Sequence, residues 1–584
     1  MEENVKGTML ESDQESAQES AAGPAAPTDP EERRSGFYLL YEADIEATSR
    51  GEGSPSQEVY LDNGRLADKA RYTGAVGDEG ILQLLGSCAG LRELVHSIGI
   101  SVRADTAVTF VLHNWGKTQI YETGTRLGIS CPGDGTEVII RLADIRWSED
   151  DDVPGKLGFE FEQAGQLGTA SVIFYLNDGY EVPVLEKEPP VPFGSPEYQA
   201  MIAKSLLHAG NNRRLKLALD KADRGEEMTI AYIGGSITQG AGAKPIHTGC
   251  YAYQSYSRLK EMFDPEGRDH IRFVKAGVGG TPSELGVIRY ERDITRDGAI
   301  TPDIVVVEFA VNDAGDETKG NCYESLCLKI LSAAHQPAVI LLFSVFVNDW
   351  NLQERLSPVG YHYQLPMVSI KDAVTPQFRL SKQEGNLISK RQFFYDSYHP
   401  TTDGHRVMAD CLVHLFTEAA KWPLDEQDIR LDQEPVIGND YAGIRLIDRR
   451  DTGSCAVIDS GGFTETDAEL QMVEMDDHPD GTPQFPYNWM HTPVSGRDSF
   501  KLTISARNLV LVYKDSGSTA FGRADIYVDG VLFRTADPHE NNWTHCNPLI
   551  LFQHKERREH RIEIRMAPGE EEKCFTILGF GYTE

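Results

Sequence analysis

The sequence predicts an α/β domain built on a doubly wound parallel sheet, flanked by N-terminal and C-terminal β-sandwich domains of jelly-roll type. Three observations predict this. Near-continuous apolar runs at MTIAYIGG (228–235), IRFVKAGVGG (271–280), DIVVVEFAVND (303–313) and AVILLFSVFV (338–347) recur roughly 35 residues apart, with helical stretches between. Strands buried on both faces of a parallel sheet read this way. On the N-terminal side, AVTFVLHNW (107–115), TEVIIRL (136–142), LGFEFEQ (157–163) and ASVIFYL (170–176) are short runs separated by Gly, Pro, Asn and Asp, the texture of a sandwich. That texture returns in SFKLTISARNLVLVYKDSG (499–517), ADIYVDGVLFRT (524–535) and HRIEIRM (560–566), with a hairpin signal at Asp529 and Gly530.

Taken in order, residues 1–35 are rich in Ala, Glu, Ser, Pro and Gln, which predicts a disordered acidic tail. Residues 36–190 form the first sandwich, and Pro-rich EKEPPVPFGSP (186–196) is a linker. The α/β domain covers 195–425. It opens on two predicted helices, PEYQAMIAKSLLHAG and RRLKLALDKADRGEE, and closes on the amphipathic DGHRVMADCLVHLFTEAA (403–420). Residues 436–584 form the second sandwich. A chain of 584 residues has room for about three such domains.

Composition excludes several functions. A formal net charge of −34 leaves no basic footprint for nucleic acid and repels an anionic membrane surface. No apolar run reaches the length of a membrane helix. MEENVKGTMLESDQES lacks the basic and apolar regions of a secretory signal. Nine cysteines lie scattered without a CxxC pair, which suits a reducing compartment. A cytoplasmic location is expected, with secretion open for a chain already trimmed of its signal. His, Asp and Glu do not cluster at ligand spacing, EDDD (149–152) reads as a solvated loop, and neither a metal nor a cofactor is expected. A homo-oligomer is compatible with the sequence.

IAYIGGSITQG (230–240) admits three readings: a phosphate-cradling loop, a turn presenting a reactive serine, or a plain turn. Gly235-x4-Gly240 is followed by Ala241 where a nucleotide loop needs Lys, and Ser236 takes the place of the second glycine of a dinucleotide loop. Both phosphate patterns therefore break. A serine hydroxyl becomes a nucleophile when a base takes its proton and donors stabilise the oxyanion. Ligands of open α/β sheets bind beyond the carboxyl ends of the strands, where Ser236 lies. DSYH supplies a base, His399, three residues after Asp396, whose carboxylate would fix the imidazole tautomer. Gly280 and Asn312 end the next two strands, and with the N–H of Ser236 they complete three donors for an oxyanion. Alone, each block is an ordinary turn or helix cap. His405, in DGH, reads as a structural histidine.

GGSIT, AGVGG, VND and DSYH, in that order and spacing, resemble the four blocks of the SGNH (GDSL-type) hydrolases over about residues 200–425. The resemblance implies a flavodoxin-like sheet, Ser236 as nucleophile, an oxyanion hole of Ser236, Gly280 and Asn312, and a triad completed by Asp396 and His399. Two departures stand out. Gly235 occupies the place of the family's aspartate, which predicts retained chemistry on an altered turn. Ala310 replaces a glycine of the asparagine block, and its methyl is expected to narrow the cleft.

The loops at 345–365 and 376–395 offer no extended apolar surface for a lipid chain. They hold Trp350, Gln353 and Tyr361, an aromatic and amide mixture that suits a sugar ring. Trp543 and His545, in HENNWTHCNP (539–548), are further candidates for sugar contact or for packing. The flanking β domains resemble modules attached to bacterial carbohydrate O-acetyl esterases. The expected substrate is thus an acetylated oligo- or polysaccharide. A general short-chain esterase or lysophospholipase, and a carbohydrate-binding protein with a decayed hydrolase core, are the alternatives.

Overall fold

The computed structural model describes residues 34–47, 54–61, 79–119, 122–183, 189–396, 398–450, 456–475, 478–541 and 543–584. The predicted acidic tail lies almost wholly outside the described residues, as does part of the predicted linker. The chain divides into two compact units, one of the described residues up to Pro190 with Phe394–Tyr398, the other of Val191–Phe393 with His399–Glu584.

The first unit contains two four-stranded antiparallel sheets. One runs in the order Gly36–Glu46, Leu167–Leu176, Val95–Ala104, Val138–Arg141, and the other Ser56–Tyr60, Asp151–Glu160, Val108–Gly116, Arg126–Cys131. Alternation along the strands sends one set of side chains inward. Phe37, Ile98, Val172 and Phe174 from one sheet meet Val59, Phe110, Leu157 and Phe159 from the other in a single core.

The second unit is built on an eight-stranded mixed sheet. Its centre is parallel, in the order Ile271–Gly277, Met228–Gly234, Ile304–Glu308, Ala338–Phe343, Met367–Ser369. Each of these strands except Ile271–Gly277 is buried along its whole length, which accounts for the unbroken apolar runs. The expectation of a wholly parallel sheet needs correction at both edges. Leu206–His208 adds antiparallel to Met367–Ser369, and Met472–Met475 adds antiparallel to Ile271–Gly277 with His478–Pro483 beyond it. The first predicted helix accordingly stops at Ala203, capped at its start by the Ser195 hydroxyl accepting from the N–H of Tyr198, and the following LLH is a strand. β-Edge pairing there overrides a helical periodicity.

The remaining C-terminal strands form one antiparallel sheet around Phe500–Asp515, His545–Met566 and Phe575–Thr583. Its outer core holds Leu502, Ile504, Trp489 and Phe580. Val510, Val512, Tyr441 and Leu578 instead join the core of the central sheet with Val305, Val307 and Leu341. The C-terminal strands and the α/β sheet thus share apolar packing.

Candidate active site

Gly234 ends the first parallel strand, and the chain turns at Gly235 into a four-residue helix, Ser236–Gln239. Ser236 opens that helix, partly exposed. The turn is clamped from below by buried charges. Arg289 is fully buried, paired with Asp293, and its guanidinium donates to the carbonyls of Gly234 and Ala276 at 2.8 and 2.9 Å. Lys275, also buried, donates to the carbonyl of Gln239 at 2.9 Å and so caps the short helix. Burying these cations costs less because the Lys275 ammonium and both terminal nitrogens of Arg289 are engaged.

His399 arrives from the segment before helix Thr402–Lys421, whose start is fixed by the Thr401 hydroxyl accepting from the N–H of Gly404. Its Nε2 lies 2.8 Å from the Ser236 Oγ. A hydroxyl held this way can pass its proton to the ring as it attacks a carbon. Asp396 is fully buried, and one of its carboxylate oxygens accepts the N–H of Tyr398 at 2.7 Å. His405 cannot act as a second base. It is fully buried, its Nε2 donates to the carbonyl of Ala241 at 3.0 Å, and its Nδ1 accepts the N–H of Tyr251 at 3.2 Å. Burial drives its pKa down to about 4.

The family model of the GDSL-like Lipase/Acylhydrolase family matches residues 232–407. That segment is a GDSL-type hydrolase domain. Among solved structures, a two-domain esterase (CEX) active on acetylated mannans is 26% identical, with a TM-score of 0.56 over 66% of this chain and 99% of that one. The same esterase co-crystallized with mannopentaose gives 26% identity and a TM-score of 0.55, over 66% of this chain and 98% of that one. No curated protein matches the sequence. The chain is a carboxylic ester hydrolase.

The geometry accounts for the Gly235 departure and locates that at Ala310. A Cβ built on Gly235 would lie 2.1 Å from the Asn312 Oδ1 and 2.7 Å from its Nδ2. The Asn312 amide occupies the space that an aspartate side chain at position 235 would need. The methyl of Ala310 was expected in the cleft, but Ala310 is fully buried in the hydrophobic core, and its carbonyl accepts the N–H of Leu352.

Gly280 adopts φ +69°, a conformation open to glycine. The turn is held from behind. His545 is buried and its Nε2 donates to the Gly280 carbonyl at 3.1 Å, while its Nδ1 faces the Asp515 carboxylate and the Asn541 amide at 3.4 Å each. Buried Gln471 donates to the Gly279 carbonyl at 2.6 Å and accepts the N–H of Cys546. Trp543 flanks Gly280, where a Cβ would come within 2.9 Å of the indole. His545 therefore supports the glycine turn, the packing alternative that the sequence offered for it. Sequence reasoning missed Gln471, Asp515 and Arg289 because long-range pairing alone gives them a role. Lys275 did leave a signal, as a cation inside the apolar run that leads to the glycine block.

The loop candidates separate. Trp350 is 37% exposed and stacks on Phe346, with ring centroids 5.7 Å apart. Gln353 is tied to Ser369 and Asp372 at the start of helix Gln353–His362. Tyr361 rides that helix eight residues onward, about 12 Å along its axis, and packs against His208 on the sheet's far edge. It is 45% exposed there.

Proposed function

We propose that the protein is a serine esterase that removes O-acetyl groups from acetylated oligo- or polysaccharides. The observation that carries this reading is the 2.8 Å approach of Ser236 Oγ to His399 Nε2 at the carboxyl end of the parallel sheet. Ser236 Oγ attacks the acetyl carbonyl while His399 takes its proton. The N–H groups of Ser236 and Gly280 and the Asn312 amide stabilise the oxyanion. The imidazolium then protonates the departing sugar hydroxyl, leaving acetyl-Ser236. Water, deprotonated by His399, releases acetate and restores the serine. Asp396, by its spacing, holds the ring tautomer and favours the imidazolium.

The carbohydrate substrate is supported by the likeness to an esterase active on acetylated mannans, and by exposed Trp350 as a stacking surface. The test is acetate release from acetylated manno- and xylo-oligosaccharides against medium- and long-chain acyl esters. We expect release from the oligosaccharides that Ser236→Ala abolishes. A preference for long acyl chains would replace this reading with a lipid esterase.

A further inference from the structure

The first unit carries a groove that ester hydrolysis does not use. It lies on the outer face of the sheet formed by Gly36–Glu46, Leu167–Leu176, Val95–Ala104 and Val138–Arg141, and has a volume of about 880 Å³. That lies within the range, about 300–1,000 Å³, of pockets that take drug-sized ligands, the size of a few linked sugar rings.

Its aromatic platform depends on backbone irregularity. In a regular strand, residues 38 and 41 would face opposite sides. Register shifts between Tyr38 and Leu40, and between Leu40 and Ala43, turn both tyrosines outward. Their rings lie 4.4 Å apart, tilted by 50°, and are 38% and 60% exposed. Phe37, Leu39 and Ile45 point into the core instead. On the neighbouring strand Tyr175 donates its hydroxyl to Glu137 at 2.5 Å, which presents a fixed carboxylate to the groove. Ser101, Thr169 and Ser171 line it further.

These features select a ligand class. The rings offer flat apolar surface for the C–H face of a pyranose, and the floor offers donors and acceptors for its hydroxyls. The charges are mixed, with Arg34 and Arg103 as well as Glu42, Asp44 and Glu137 in the lining. No single-sign field exists for a polyanion, and the chain's net charge of −34 repels one. An apolar ligand would strand the polar floor. We propose that this groove binds a short run of a neutral polysaccharide, holding the chain on its polymer independently of the ester-cleaving site.

The test uses the full-length Ser236→Ala protein and soluble, non-acetylated glucomannan, galactomannan and xylan, read by retardation in native affinity gels. Because no ester is present, this result and the esterase reading fail separately. We expect retardation by at least one polymer. Tyr38→Ala/Tyr41→Ala should weaken it about tenfold or more, with melting temperature unchanged and, in the Ser236 background, hydrolysis of 4-nitrophenyl acetate unchanged. Thr169→Arg, which fills the floor from another strand, should do the same. No retardation by any polymer would overturn the proposal, as would undiminished binding by both variants.

Discussion

The two glycine turns at the carboxyl end of the sheet, Gly234–Gly235 and Gly279–Gly280, are supported in different ways. The first is held by groups of the α/β domain itself, with Arg289 of helix Ser283–Asp293 and Lys275 of strand Ile271–Gly277 donating to carbonyls of its own strand, the neighbouring strand and the short helix. The second is gripped by residues some 190 to 265 positions later in the chain, Gln471 and His545. One turn is a property of the hydrolase domain, and the other is completed by C-terminal strands. The C-terminal strands thereby hold a turn of the candidate site.

Substitutions at the two turns should therefore differ in size. At the first, Ser236→Ala should lower kcat on 4-nitrophenyl acetate on the order of 10⁴-fold or more, with melting temperature unchanged. Gly235→Asp should come next, at about 10²-fold or more, because its Cβ displaces the Asn312 amide and losing one oxyanion donor costs about that much. Unaltered kcat would show that Asn312 can shift without loss. At the second turn, His545→Ala should lower kcat about tenfold, with KM nearly constant. His545→Gln, which can still donate to the Gly280 carbonyl, should restore part of it. Equal loss in both variants, or a loss confined to KM, would reduce His545 to a packing role.

The smallest effect concerns carboxyls behind the Asn312 block. Burial, with Asp316 nearby, pushes Glu284 up to about 9 and Asp313 up to about 8, and burial pushes Glu308 up to about 7. Unfolded, such groups ionise near pH 4, at about 3.9–4.3. Between that pH and the folded values the native state holds protons that the unfolded state has lost. Stability therefore falls as pH rises through this window. Melting temperature should drop by a few degrees from about pH 6 to about pH 8.5. Asp313→Asn, which keeps the contact with Ser283 without ionising, should flatten that slope.

The parallel strands and the serine, glycine and asparagine blocks were legible because each block follows a buried apolar run on a turn, and the histidine block because Asp396 and His399 stand three residues apart just before a helix. The sheet edges were not. LLH and QMVEM are too short to announce a partner, and pairing Met472–Met475 with Ile271–Gly277 joins residues about 200 apart. The role of His545 was invisible for the same reason, as its partner is a backbone carbonyl in another block. Gly235 could be read as an anomaly but explained only by the position of Asn312. The tyrosine platform at 38 and 41 was hidden by bulges, which no alternation pattern reveals.

The central claim is that Ser236 carries the acyl group. Its direct test is rapid acid quenching during turnover of an acetylated manno-oligosaccharide, followed by peptide mass mapping. The account predicts one acetyl group on the peptide containing Ser236 in the parent protein and none in Ser236→Ala. Turnover that leaves Ser236 unmodified, with the acetyl group on another residue, would contradict it.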